Sequence, residues 1–339
     1  MPVALLCYPE GTVGASEIFS RFKKLHIESY PSGNLEFAKS LQPEILIAST
    51  RLIVDSKAVE KFPSVRIFAT VSSGVDHVNF SDLKKAGKIF LNSPGCNAGS
   101  VAEYCWVSLL YFFSLEELKS KKVGLVGFGN TGKAFGKILS YFGISFVYHD
   151  PYFKEFSSSL DAVYQCPILS FHVPLTKSGP YPTEAMFQKK HVTALKPETL
   201  VLNTSRGEVW EKLAYQEILS RSDIMKVIDV YSEEPPKKEL ELFLNSTRSI
   251  FTPHIAGYSQ LGRLTGTYRL AEKLAILYGE EPLPKIQKFM IFSSDLKTEF
   301  FLSEEDRQLR EAWSKQDWEY FERRRNHYPI RLDMGLIEV

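Results

Sequence analysis

Short apolar runs alternate with longer polar or helical stretches through residues 1–92. The runs read VALLCYP, EILIAST, VRIFATVSSG and KIFLNSP. Apolar runs of this length, with connections long enough for a helix, are typical of parallel strands in β–α–β units. The pattern predicts a doubly wound α/β domain of the flavodoxin type at the start of the chain.

A second series of apolar runs follows in residues 93–256. The runs read KKVGLVG, ISFVYHD, PILSFHVPL, TLVLNTSRG, IMKVIDVYS and SIFTPHI. Six such runs in succession, again separated by helical or polar segments, match the doubly wound parallel sheet of a Rossmann domain. The sequence therefore predicts two parallel-sheet domains in one chain.

Two longer stretches have apolar residues at helical spacing. Residues 97–120 predict a helix that joins the two domains, and residues 262–278 predict a helix that returns to the first one. We therefore expect the first domain to comprise residues 1–92 and 257–284, and the second to comprise residues 93–256.

Residues 285–339 form a charged C-terminal segment that also carries many aromatic residues. The aromatic residues are Trp313, Trp318, Tyr320, Phe321 and Tyr328. So many large apolar rings need cover, which leaves two interpretations. The segment either holds a homodimer together or docks on its own chain.

The composition is that of an ordinary globular protein. Of 339 residues, 44% are hydrophobic and 24% charged, and 41 Lys and Arg face 40 Asp and Glu. This balance indicates no general attraction to nucleic acid or to a membrane surface. The longest apolar stretch, residues 106–113, is far shorter than the ~20 residues that span a bilayer. The N-terminus lacks a signal-peptide pattern, so we expect a cytoplasmic protein.

The cysteines do not indicate a metal site or a disulfide framework. They lie far apart and form no CxxC pair, and no His or Cys falls at the spacing of zinc ligands. Buried free thiols in a reducing compartment are the simpler interpretation. The residues concerned are Cys7, Cys96, Cys105 and Cys166.

A glycine-rich turn follows the first strand of the second domain. Gly127, Gly129 and Gly132 match the GxGxxG pattern, with Asn130 and Thr131 between them. The pattern alone is weak evidence, but here it follows a strand and opens a helix. Glycines let the backbone approach a pyrophosphate, whose charge then rests on the helix N-terminus. The turn predicts a dinucleotide site.

Asp150 stands at the end of the next apolar run. A carboxylate there accepts hydrogen bonds from the adenosine ribose hydroxyls and repels a 2′-phosphate. We therefore expect the cofactor to be NAD rather than NADP.

Three further polar residues each follow an apolar run of the second domain. Arg206 is suited to hold a planar carboxylate through both oxygens, and Glu234 is placed to hydrogen-bond the imidazole of His254. Such a carboxylate selects one imidazole tautomer and stabilises the imidazolium, which suits a proton shuttle. Each residue alone is more often structural. Together, at the strand ends where doubly wound sheets bind ligands, they predict an active site.

Five blocks of the chain resemble the D-isomer-specific 2-hydroxyacid dehydrogenase family. They read VGLVGFGNTG, FHVPLT, LVLNTSRGEV, DVYSEEP and TPHIAGYS. The resemblance implies that His254 takes the hydroxyl proton as hydride leaves for the nicotinamide, while Glu234 supports His254 and Arg206 holds the substrate carboxylate. It places Val173, Asp229 and Gly257 beside the cofactor. It also assigns substrate contacts to Ser49, Thr70, Ser73, Gly74 and Tyr258.

Narrower features are similar to family members that act on a phosphorylated sugar acid and use the C-terminal segment to dimerise. They include TPHIAGYSQLGRLTGT and FERRRNHYPIRLDM. Ala48 stands where those members usually have an arginine, and Arg51 lies nearby. A substrate phosphate needs a cation besides Arg206, which is occupied by the carboxylate. The candidates are Arg51 and, from a partner subunit, Arg323, Arg324, Arg325 or Arg331.

Two other functions stay open at this point. One is a D-2-hydroxyacid dehydrogenase or 2-oxoacid reductase with an unphosphorylated substrate. The other is a regulator that shares the fold and senses NADH, as some corepressors do. The complete Arg, Glu and His set argues against the regulator, although a fold does not determine a function.

Overall fold

The computed structural model describes residues 3–8, 12–31, 34–286 and 302–328. The chain divides into two compact units. Unit 1 comprises residues Met1–Asn97 and Ser259–Leu296, and unit 2 comprises Ala98–Tyr258 and Lys297–Val339. The observed boundaries fall slightly later than residues 92 and 256, because the helix that joins the two units belongs to unit 2 from its first turn.

Unit 1 contains a parallel sheet in the order β2-β1-β3-β4-β5. Its strands are β1 (Val3–Tyr8), β2 (His26–Pro31), β3 (Ile45–Ile47), β4 (Ile67–Ala69) and β5 (Ile89–Leu91). Its first helices are α1 (Ala15–Phe19), α2 (Leu35–Ser40), α3 (Ser56–Lys61) and α4 (Phe80–Lys85). The β2 strand was not predicted, because its residues HIESYP mix polar and apolar types without a continuous apolar run.

Unit 2 contains a six-stranded parallel sheet in the order β11-β10-β9-β8-β6-β7. The strands are β6 (Lys122–Val126), β7 (Ser145–His149), β8 (Ile168–Phe171), β9 (Leu200–Asn203), β10 (Met225–Ile228) and β11 (Ser249–Phe251). Each corresponds to one of the six predicted runs. The prediction of an α/β fold with parallel sheets is confirmed.

Helices cover the sheet of unit 2. They are α5 (Ala98–Phe112), α6 (Leu115–Lys119), α7 (Asn130–Tyr141), α8 (Leu160–Tyr164), α9 (Lys189–Thr193), α10 (Lys212–Ser220) and α11 (Leu240–Asn245). The single helix predicted for residues 97–120 is interrupted between α5 and α6. The cause is local: Ser114 caps α6 in a capping box with Glu117, which starts a new helix in place of the old one.

The long helix α12 (Gln260–Tyr278) includes the residues 262–278 for which a helix was predicted, and it lies in unit 1. The Ser259 side chain caps its first turn by accepting from the Gly262 N–H. Its buried leucines Leu264, Leu270 and Leu274 pack in one apolar cluster with α1 and the unit 1 strands. No described helix combines the length and apolar character needed to cross a lipid bilayer.

The described part of the C-terminal segment belongs to unit 2 and contains α13 (Leu302–Ser314) and α14 (Glu319–Asn326). Trp313 and Phe321 are fully buried within that unit. Residues 302–328 therefore bury these side chains against their own chain, and the separate C-terminal segment over residues 285–339 stays a prediction. Arg331 lies outside the described residues.

Candidate active site

The predicted catalytic residues follow three neighbouring strands of unit 2. Arg206 follows β9, Glu234 lies in the loop after β10, and His254 follows β11. Strand β10 pairs with both β9 and β11 in parallel. All three residues therefore project from the carboxyl edge of the sheet, where ligands bind in doubly wound folds.

Glu234 and His254 are in direct contact. The Nδ1 atom of His254 lies 2.9 Å from Glu234 Oε1 and 3.1 Å from Oε2. The side chains are 30% and 22% exposed, so the pair is shielded but can be reached from solvent. This contact agrees with the predicted proton-shuttle arrangement, in which a carboxylate orients an imidazole.

The environment of Glu234 favours its ionised form. Burial alone would raise the pKa of this carboxyl. The neighbouring His254 and Arg325 outweigh burial, and the backbone N–H of Tyr231 donates to Oε1 at 3.4 Å. The pKa of Glu234 is therefore lowered, and the carboxylate is available to accept from His254 at neutral pH.

A buried carboxylate holds the loop that carries His254. Asp229 Oδ1 accepts from the Ile255 N–H at 2.8 Å, and Oδ2 accepts from the Ala256 N–H at 3.0 Å. The loop needs this support because His254 has a φ of 56°, in the left-handed region that a non-glycine residue rarely adopts. Burial raises the pKa of Asp229. Its contact with the cofactor remains a prediction.

Two residues that sequence reasoning missed extend this support. Thr252 Oγ1 donates to Asp229 Oδ1 at 2.6 Å, and it lies 2.7 Å from the hydroxyl of Tyr104 on α5. Both Thr252 and Tyr104 are fully buried. Hydrogen bonds therefore connect α5 to the His254 loop inside the core, through a network in which Tyr104, Thr252 and Asp229 all have partners. No pattern in the sequence linked Tyr104 to the site, because the two lie far apart along the chain.

Arg206 stands in a tightly packed turn. The Asn203 side chain donates to the Arg206 carbonyl at 3.1 Å, and Arg206 Nη1 donates to the Ser205 carbonyl at 2.7 Å. A Cβ at Gly207 would lie 1.9 Å from the Tyr231 carbonyl carbon, so only glycine allows this approach of the β9 and β10 loops. The turn holds Arg206 beside the loop that carries Glu234.

The glycine turn has the shape that a pyrophosphate requires. Gly127 has a φ of 96°, and a Cβ there would lie 2.8 Å from a Val173 methyl carbon. A Cβ at Gly132 would lie 2.2 Å from the Gly127 carbonyl oxygen. At Gly129 an added Cβ would meet nothing within 4 Å, so the turn is open on that side. The helix α7 begins at Asn130, so its first N–H groups are at this turn.

Asp150 completes the fit to a dinucleotide. It is 8% exposed and follows β7, and its carboxylate accepts from the Phe128 N–H at 2.8 Å and from the Tyr152 N–H at 2.9 Å. Each carboxylate oxygen has a further lone pair with which to accept a ribose hydroxyl. The open turn, the helix N-terminus and the acidic strand end fit NAD. Thr131 lies in the first turn of α7 and Gly257 in the loop after His254.

The predicted substrate residues of unit 1 share one edge of its sheet. Ser49 and Arg51 follow β3 and are exposed, whereas Thr70 follows β4 and is buried. Ser73 is anchored, since its Oγ accepts from the Gly95 N–H at 3.0 Å and its carbonyl accepts from the Asn92 side chain at 2.8 Å. Gly74 is the next residue of this loop. The carboxyl ends of the parallel strands β3 and β4 thus carry the whole set, whose substrate contacts remain predictions.

Tyr258, the remaining predicted substrate residue, lies in unit 2 and contacts α14. Its ring meets the Tyr328 ring edge-on at 6.2 Å, and its hydroxyl is hydrogen-bonded by Arg325. The sequence named Arg325 only as one of several candidates for a phosphate. One signal in the sequence could have placed Arg325 on the packed side of its helix. Phe321 and Arg325 are four residues apart and therefore share a helix face.

Comparison with known proteins places the chain in a family. Residues 100–256 match the model of the D-isomer specific 2-hydroxyacid dehydrogenase NAD binding domain. The erythronate-4-phosphate dehydrogenase of Tolumonas auensis is 33% identical over 276 residues, which cover 78% of this chain and 72% of that protein. The enzyme of the same name from Shewanella loihica is 35% identical over 246 residues. That match covers 70% of this chain and spans 64% of the relative.

Solved structures agree in fold. A D-lactate dehydrogenase from Treponema pallidum superposes with a TM-score of 0.68 at 21% identity, covering 83% of this chain and 98% of that one. An NAD⁺-bound 3-phosphoglycerate dehydrogenase from Entamoeba histolytica gives a TM-score of 0.67 at 19% identity, covering 86% and 99%. The chain belongs to the D-isomer specific 2-hydroxyacid dehydrogenase family, and residues 100–256 form its NAD-binding domain.

Proposed function

We propose that this member of the 2-hydroxyacid dehydrogenase family oxidises 4-phospho-D-erythronate to its 2-oxo acid with NAD, a step of pyridoxal phosphate biosynthesis. The observation that carries the reaction type is the 2.9 Å contact between His254 Nδ1 and Glu234. Glu234 follows β10, and the Arg206 turn follows the neighbouring strand β9. The substrate is supported by the erythronate-4-phosphate dehydrogenases to which the chain is similar.

The protein groups have distinct roles in this reaction. With Glu234 accepting from Nδ1–H, the neutral imidazole of His254 carries its lone pair on Nε2, which removes the proton of the substrate hydroxyl. Glu234 then stabilises the imidazolium, and Arg206 holds the carboxylate by a bidentate contact. NAD, when bound, supplies the acceptor for the hydride that leaves the substrate carbon.

One observation favours a second candidate function. Ala48, which stands where phosphosugar-acid members usually have an arginine, directly follows β3 and is only 8% exposed, so this position supplies an apolar methyl group in place of a cation. A D-2-hydroxyacid dehydrogenase or 2-oxoacid reductase with an unphosphorylated substrate is therefore the alternative. An NADH-sensing regulator needs no Glu–His contact, so the pair argues against that function.

A substrate comparison separates the two dehydrogenases. We expect NADH formation to be faster with 4-phosphoerythronate than with a panel of plain 2-hydroxy acids. We also expect Arg51→Ala to raise the KM for the phosphorylated substrate by about tenfold or more, because charge-assisted hydrogen bonds contribute ~1.5–3 kcal/mol. The KM for a plain 2-hydroxy acid should change little.

Arg66→Ala is the matched control, since Arg66 is also exposed in unit 1 but precedes β4 at the opposite edge of the sheet and pairs with Glu44. Equal effects of Arg51→Ala on both substrates would remove Arg51 as the phosphate ligand. If 4-phosphoerythronate were not oxidised at all, the unphosphorylated alternative would replace the proposed substrate.

Asp150 provides a test of cofactor preference. Asp150→Asn should narrow the preference for NAD over NADP by on the order of tenfold, because the negative charge that repels a 2′-phosphate is removed. Dissociation constants for NADH and NADPH from fluorescence titration measure the effect. Asp161→Asn, at an exposed acid in the first turn of α8, should leave the ratio unchanged. Equal binding of NADH and NADPH by the unmodified protein would contradict the assignment.

Assembly and location remain proposals. The homodimer rests on the resemblance alone, because within residues 302–328 the large aromatic residues Trp313 and Phe321 are covered by their own chain. A cytoplasmic location is proposed from the cysteines, because Cys96, Cys105 and Cys166 are free thiols, as is usual in a reducing compartment.

A further inference from the structure

The helix α14 is fixed firmly against the rest of unit 2. Its Phe321 is fully buried and meets the Tyr231 ring at 5.7 Å. Its Arg324 pairs with the largely buried Glu305 of α13, with Nε 2.9 Å from Oε2. An apolar anchor and a buried ion pair on successive turns leave the helix little freedom to rotate.

This anchoring brings Arg325 to the catalytic pair. Its Nη1 donates to Glu234 Oε2 at 3.3 Å and to Glu322 Oε1 at 3.2 Å. The Arg325 side chain is 22% exposed, and it also hydrogen-bonds the hydroxyl of Tyr258. Besides the Tyr231 N–H, the carboxylate of Glu234 therefore has two side-chain partners, His254 and Arg325.

We infer that Arg325 is a positioning residue of the active site, whose guanidinium holds the Glu234 carboxylate against His254. The inference rests on the proposed dehydrogenase function and adds a residue to it from the C-terminal helices. Arg325 acts through Glu234 and Tyr258. It thus differs from its sequence-based assignment, in which a partner subunit's arginine binds a substrate phosphate.

The electrostatic role follows from the groups around Glu234. Several elements contribute charged or titratable groups that face it or its two partners: the β11 loop, α14, α10 and the β10 strand end with its loop. These groups are His254, Arg325, Glu322, Tyr215, Tyr231, Tyr258 and Asp229. Arg325 is the only permanent cation in this set. Without it, a largely buried carboxylate keeps only the imidazole as a charged partner.

Removing Arg325 should make the protein lose activity at a higher pH on acidification. The pKa of Glu234 is lowered, so the contribution of the ionised carboxylate is present above its ordinary pKa and is lost as pH falls through the lowered value. Removing Arg325 raises that pKa, since an opposite charge at this distance lowers a carboxyl pKa by ~1–3 units. The loss on acidification then begins at a higher pH.

The test measures kcat against pH in the reductive direction, in which the imidazolium of His254 donates the proton. Protonation of Glu234 sets the decrease of kcat at low pH, the acid limb of this profile. We expect Arg325→Ala to move this limb upward by about one pH unit and to lower kcat by about tenfold at its optimum. Arg325→Lys should restore most of kcat and should return the acid limb close to its original pH. Arg307→Ala is the matched control, because Arg307 lies on the adjacent helix α13, is 61% exposed and pairs with Glu304.

A second measurement does not depend on turnover. Carbon NMR of protein labelled at the glutamate carboxyl carbon follows the titration of Glu234, whose signal is identified by its loss in Glu234→Gln. We expect the midpoint to rise in Arg325→Ala and to return in Arg325→Lys. If Arg325→Ala does not fold, Arg325→Gln is measured instead, because it keeps a polar side chain and removes the charge.

The outcomes separate the inference from the function on which it rests. A protein that turns over no 2-hydroxy or 2-oxo acid refutes the proposed function, while the NMR titration still decides the role of Arg325. The inference is overturned if Arg325→Ala loses activity at every pH while the acid limb and the titration midpoint of Glu234 stay unchanged. A rise in KM confined to phosphorylated substrates, with the pH profile unchanged, also overturns it and makes Arg325 a phosphate ligand.

Discussion

Replacing His254 with alanine is expected to lower kcat by ~10²–10⁴-fold while leaving the dissociation constant for NADH nearly unchanged. The imidazole contacts the Glu234 carboxylate and is the group proposed to exchange a proton with the substrate, whereas the glycine turn and Asp150 are left intact by the substitution. Steady-state kinetics and a fluorescence titration of NADH measure the two quantities separately.

The control for this variant is His26→Ala, since His26 is 48% exposed in unit 1 and pairs with Glu28. It should retain full activity. If His254→Ala kept most of its turnover, His254 would not be the acid/base. A parallel weakening of NADH binding would instead show that the β11 loop had collapsed, because Asp229 ties that loop to the sheet through the Ile255 and Ala256 N–H groups.

Replacing Trp313 with alanine is expected to lower the free energy of unfolding by ~3–5 kcal/mol. Trp313 is fully buried, and its ring contacts Tyr231 at 5.7 Å, Phe243 at 5.4 Å and Phe251 at 6.3 Å. The truncation leaves a cavity between α13, α11 and β11, and it removes the contacts of these three rings with the indole. Urea unfolding monitored by circular dichroism measures the change.

Trp318→Ala is the comparison within the same segment. Trp318 is only partly buried, with Lys237 Nζ 5.8 Å from its ring centroid, so its loss should cost about 1 kcal/mol or less. Similar small losses for both tryptophans would show that α13 and α14 do not form part of the core of unit 2. The inferred role of Arg325 would then lose its structural basis as well.

The secondary structure of the NAD-binding domain could be predicted from sequence because its signals are local. Strands such as β8, β9 and β10 are buried along their whole length and consist mostly of large apolar residues, so they stand out as apolar runs between polar segments. The β2 strand was missed for the opposite reason, since HIESYP carries polar residues at several positions. The division of residues 97–120 into two helices depended on a single serine cap at Ser114.

The positions of Arg206, Glu234 and His254 could be predicted for a topological reason. Each stands directly after an apolar run, and in a parallel doubly wound sheet all strand ends of that kind lie on one edge. The sequence thus indicated that the three side chains share a region of the fold. The 2.9 Å contact between Glu234 and His254 needed the structure, because it depends on the path of a loop and on the left-handed backbone of His254.

By itself, the sequence determined the parallel-sheet architecture, the family, the dinucleotide turn and the three residues proposed to carry the chemistry. These depend on short patterns whose meaning is set by local backbone geometry and strand order. Only the tertiary structure decided that the described C-terminal helices pack on their own chain, and that Arg325, among three consecutive arginines, reaches Glu234. The reason is that the direction of a helical side chain depends on how its helix docks. The docking of α14 is set by the contact of Phe321 with Tyr231 and by the Arg324–Glu305 pair. No local sequence pattern relates the residues of these contacts.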